Sequence, residues 1–68
     1  MALYYVNENE DEKGNNEVHK NDCYYLSIAQ NTSYLGSFDN GVEAVKYAKS
    51  RGYSADGCFF CCREAHHG

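Results

Sequence analysis

The sequence predicts a small α+β fold: an antiparallel sheet of three to four short strands, one main helix, and a C-terminal C-x-x-C knuckle running into a short helix. Three observations predict it. Aromatic and β-branched runs recur between polar turns; one segment carries a capped 3.6-residue apolar period; and cysteine and histidine gather in two short clips. Sixty-eight residues make one domain, residues 1–68. A chain of this size buries only about 60% of the surface that its unfolded form exposes, so a cross-link is expected to help hold it together.

Residues 3–6, LYYV, read as the first strand. The acidic loop that follows, residues 7–17, carries five acids and one lysine and turns near Lys13-Gly14-Asn15. Asn7, Asn9 and Asp11 alternate as calcium ligands would. However, Glu12 stands where a calcium loop needs glycine and Val18 where it needs glutamate, so a solvated loop is expected. Residues 17–20, EVHK, return as a second strand. Residues 22–28, DCYYLSI, and 32–38, TSYLGSF, read as two further extended stretches around the polar turn AQNTS.

The helix follows. Asn40 with Glu43 three residues later resembles a capping box. Val42, Ala44, Val45 and Ala48 then share one side of a helical wheel. Lys46, Lys49 and Arg51 suit the C-terminal end of its dipole, and Gly52 is placed to end the helix after Arg51.

Chemistry concentrates in two places. Cys58-Phe59-Phe60-Cys61 is a C-x-x-C, a spacing that lets one tight turn aim two thiolates at a tetrahedral ion. Zn–S bonds of about 2.3 Å set the sulfurs roughly 3.5–4 Å apart. Upstream, His19 and Cys23 stand four apart around a polar turn and form a second bidentate clip. Together they make one histidine and three cysteines, a structural Zn2+ set that would close a long loop across the helix. Two alternates remain. Cys62 or His66 could replace His19, since Cys62 and His66 would share a face if the chain is helical from Cys61 onward. Otherwise Cys62 is a thiol buried under the knuckle, and His66-His67-Gly68 a frayed terminus.

Thiol redox chemistry at the C-x-x-C is the weaker reading, because the strand–helix setting of thioredoxin-like motifs is missing. Outside the acidic loop, five acids balance Lys20, Lys46, Lys49, Arg51 and Arg63, so nucleic acid is an unfavoured partner and an accessory role on it an alternative. Tyr24, Tyr25, Tyr34, Phe59 and Phe60 could stack bases, but in a chain with three Leu and one Ile they are expected to form the core. The N-terminal stretch has no basic leader, and no apolar run suggests a membrane span. A cytoplasmic location is therefore expected, where clustered cysteines are metal ligands more often than disulfides.

The order of these motifs resembles the small Ada-like metal-binding modules. His19-x-x-x-Cys23 comes first, then Glu43-Ala44 and Ala48 on a helix, then Gly52-Tyr53 before Cys58-x-x-Cys61. The layout is also similar to a set of small uncharacterised bacterial proteins with a YYVN start, an EVH-x-x-x-C clip, a YLG-x-F strand and a GC-x-x-C ending. The Ada-like resemblance implies a zinc-stapled module. In the Ada repair domain the first clip has cysteine at both ends and a zinc-bound cysteine accepts the methyl group. Here His19 begins that clip, so methyl transfer is not expected. The resulting expectation is a non-enzymatic zinc module, with no catalytic residue and an unidentified protein partner.

Overall fold

Four strands form a single sheet in the order β3-β1-β2-β4, in a computed structural model that describes residues 1–66. β1 (Ala2–Asn7) and β2 (Asn16–Lys20) flank the acidic loop as an antiparallel pair, with Tyr5 opposite His19 and Val6 opposite Val18. β3 (Thr32–Phe38) pairs antiparallel with the other edge of β1. The register shifts between Tyr4 and Tyr5, leaving Leu35 as the bulged residue that packs against the core.

The sheet is mixed rather than purely antiparallel. β4 (Ala55–Gly57) runs parallel to β2, so β2, β3 and β4 share one direction and β1 opposes them. Three residues, Ala-Asp-Gly, carry no strand signal of their own; pairing with β2, 39 positions earlier in sequence, creates this strand. Parallel pairing needs a crossover, and the main helix supplies it.

A second correction concerns residues 22–28. They do not extend: Tyr24–Ile28 form a short helix, α1. Both edges of β1 and both edges of β2 are already paired, so this segment has no strand beside those two to join. A turn in which the Cys23 N–H donates to the Lys20 carbonyl at 3.0 Å starts it instead.

The main helix, α2, spans Gly41–Ser50 with Arg51 as its C-cap, as the periodicity requires. Asn40 Oδ1 accepts from the Glu43 N–H at 3.0 Å. Gly52, at φ +98°, takes the left-handed turn that ends the helix and that a side chain would strain. Ala44, Val45 and Ala48 pack onto Tyr4, Val6, Val18 and Ala55. Small residues on the helix let it lie close to the sheet, and β-branched residues fill the sheet side.

The expected C-terminal helix is one 3-10 turn, η1 (Arg63–Ala65). It is fixed at both sides: Ala65 is buried in the core, and Glu64 Oε1 accepts from the Gly41 N–H at the start of α2. His66 is not frayed; its Nδ1 lies 3.0 Å from the Gly57 carbonyl and 3.6 Å from Asp56 Oδ2. Residues 67–68 lie outside the described residues. The acidic loop closes on its own polar groups. Asp11 Oδ1 accepts from the Lys13 and Asn15 N–H groups, both at 2.9 Å, which fits a solvated loop. Among the described residues no helix is long and apolar enough to cross a membrane.

Candidate metal centre

β2 decides where the site lies. Side chains alternate across a strand, so Val18 faces α2 while His19 shares the opposite face with Tyr5. Both are fully buried, at 0% and 1% exposure. β4 continues the pattern. Gly57 pairs with Val18, and the next residue, Cys58, donates its N–H to the Val18 carbonyl at 3.0 Å. That registration sets Cys58 beside His19.

The remaining two thiols arrive by turns. The turn after β2 brings Cys23 back over His19, with Cys23 Sγ 3.6 Å from His19 Nδ1. The Cys58–Cys62 turn closes when the Cys62 N–H donates to the Cys58 carbonyl at 2.8 Å, and it presents Cys61 Sγ 4.0 Å from the same Nδ1. Cys23 Sγ and Cys58 Sγ lie 4.0 Å apart. One donor atom from each of His19, Cys23, Cys58 and Cys61 falls within 4.8 Å of the other three. Gly57 permits this packing, because a Cβ there would meet the Cys62 carbonyl oxygen at 2.6 Å and Ala65 at 2.9 Å.

The electrostatics follow from burial. Burial pushes the Cys58 and Cys61 thiols up and the His19 imidazole down, so the protein alone holds all of them neutral. Backbone donors work the other way: the Lys20 N–H points at Cys61 Sγ at 3.3 Å, and the Phe60 and Cys61 N–H groups favour the charged form of Cys58. Buried sulfurs that collect N–H donors are arranged for negative charge, yet no cationic side chain pairs with them in the described hydrogen bonds and ion pairs. A divalent cation at the centre would supply the missing compensation.

Each residue singled out from the sequence now has a place. The four members of the two clips come together. Cys62 lies 3.8 Å from Cys61 through sulfur but is fully buried in the aliphatic core, where burial pushes its thiol up to about 11. His66 turns toward Gly57 and Asp56. Neither alternate joins the four-donor cluster.

Sequence reasoning missed Glu17, whose Oε1 faces His19 Nε2 at 3.7 Å on the side away from the sulfurs. Its signal was present, since residues two apart on a strand share a face. The aromatic residues are also corrected. Tyr24, Tyr25, Tyr34, Phe59 and Phe60 are exposed rather than core; the aromatic ring buried in the core is Tyr4.

With this geometry in place, comparison with known proteins adds no relative: no family model, curated protein or solved structure matches the chain.

Proposed function

We propose that His19, Cys23, Cys58 and Cys61 bind one Zn2+ as a structural staple, and that the protein is a non-enzymatic interaction module of the cytoplasm. The observation that carries this reading is the convergence of four donors within 4.8 Å from two clips far apart in the chain. Three of the six donor–donor separations, at 3.6–4.0 Å, are close to the edges of a tetrahedron with bonds of about 2.3 Å to sulfur and about 2.0 Å to nitrogen, and the other three stay within 4.8 Å. Three thiolates and an imidazole form a soft set suited to zinc. All four positions belong to the protein, which leaves no open coordination site for a catalytic water.

His19 would bind through Nδ1, and Glu17 Oε1, 3.7 Å from Nε2, favours the tautomer that keeps its proton on Nε2. The Ada-like order of the clips supports the same assignment, with His19 in place of a nucleophilic cysteine. Raised thiol pKa values disfavour a redox role for the C-x-x-C, which would need a thiolate without metal. Native mass spectrometry of protein purified without chelator tests the proposal. One zinc per chain is expected, together with loss of folded structure when a strong chelator is added. A metal-free chain that stays folded in chelator would remove the reading.

A further inference from the structure

The two clips also carry most of the exposed aromatic residues among those described. Tyr24 follows Cys23 directly, and Phe59-Phe60 lies between Cys58 and Cys61. Their rings form one chain of contacts. Tyr24 meets Tyr25 edge-on at 5.3 Å, Tyr25 stacks on Phe60 at 4.7 Å, and Phe60 meets Phe59 at 5.2 Å. The Arg63 guanidinium covers the outer end, 5.2 Å from the Phe59 ring. Ile28 sits on α1 three and four residues beyond the tyrosines and extends the same side.

These residues are wet. Tyr24 and Phe60 are each 67% exposed, Ile28 56%, Phe59 43% and Tyr25 39%. Five such side chains, about half exposed, present roughly 500 Å² of apolar surface, the upper range for a monomer's largest patch. A standard interface buries about 800 Å² per partner, with an aromatic centre and a charged rim. The belt supplies the centre.

The rim identifies the occupant. The shallow groove beside Tyr24, Tyr25 and Phe60 is edged by Lys20 and Asp22, opposite charges two residues apart. A two-fold axis through this groove can set Lys20 of each copy against Asp22 of the other. A polyanion would meet Asp22 and a chain of net charge −4. We propose that the aromatic belt over the two clips is a self-association surface, and that its partner is a second copy of this chain in an isologous dimer. The proposal rests on the interaction-module reading and names the partner.

Sedimentation equilibrium of the full chain, from micromolar to millimolar, tests it, with zinc content measured on the same samples. The expected mass is twice the 7.7 kDa of one chain. Tyr24→Ser with Phe60→Ser should weaken association about 100-fold while leaving the zinc content unchanged, since neither residue is a ligand. Lys20→Asp should weaken it about tenfold, and Lys20→Asp with Asp22→Lys should restore it. A wild-type chain that stays at single mass into the millimolar range overturns the proposal. So does a dimer insensitive to both the serine pair and the charge reversal. A monomer that binds single-stranded oligonucleotide through Phe60 also overturns it, assigning the belt to nucleic acid instead. A monomer with one zinc per chain sinks the dimer and leaves the metal reading standing. A dimer without zinc does the reverse.

Discussion

Val18 and His19 are neighbours on β2, and both are sealed from water, but they are sealed into different kinds of interior. Val18 faces a small aliphatic core of Val6, Ala44, Val45 and Ala48, where burying carbon is favourable in itself. His19 faces three thiols on the other side of the sheet. That second interior gains little from burial, because its groups are polar and each loses hydration. Its apolar residues lie outside, on the aromatic belt. One face of the sheet is therefore stable by packing, and the other needs something to hold it. Burial alone does not define a core; the chemistry of what is buried does.

Removing metal should separate the two interiors most sharply. With a strong chelator the cluster is left with buried, uncompensated donors, and a domain this small has little stability in reserve. Loss of the cooperative transition is expected in circular dichroism or calorimetry, because the proposed zinc staple would make metal binding and folding one equilibrium. Survival of the Val18 side alone, seen as protected amides in β1, β2 and α2, would sharpen the contrast by showing that the aliphatic core is self-sufficient.

His19→Ala comes next. Loss of one ligand and an opened buried site should lower stability by about 3 kcal/mol or more and weaken zinc binding markedly. His19→Cys should keep one zinc per chain in native mass spectrometry. His66→Ala should leave the metal content unchanged, because His66 bonds to Gly57 and not to the cluster.

Acid should act on the same face. Burial holds His19 below its ordinary value of 6.5, so folding favours the neutral ring. Below that value the unfolded chain binds more protons than the folded one. The stability this contributes is present above about pH 6.5 and is lost as pH falls toward the depressed folded-state value. Zinc at the proposed site would work with the same sign, because its ligands must be deprotonated. Metal release and unfolding are expected to coincide on acidification, followed by zinc-sensitive dye and circular dichroism together. Acid unfolding that precedes metal release would break the link between them.

Val18→Ala probes the other interior and should cost about 2 kcal/mol in urea unfolding with zinc retained. The smallest effect is expected at Tyr53→Phe. The Tyr53 hydroxyl donates to Glu8 Oε2 at 2.6 Å, beside Ser33, and ties the residue after β1 to the segment before β4. Its loss should move the urea midpoint less than Val18→Ala does and leave the metal untouched.

What the sequence determined by itself was local. The Asn40 cap, the α2 period and the Gly52 stop are each written within a few residues, and the helix forms where they say. The hairpin strands and the two clips are legible for the same reason: alternation and a four-residue bend are short-range geometry. The tertiary structure decided what depends on partners distant in the chain. β4 exists only because β2 offers it an edge, and that pairing sets Cys58 against His19. Residues 24–28 form α1 rather than a strand, and the edges of β1 and β2 are taken by segments from elsewhere in the chain. The aromatics of the two clips lie outside the core that Tyr4 and the aliphatic residues form, and which rings are buried is a property of the whole packing that no single stretch of sequence records.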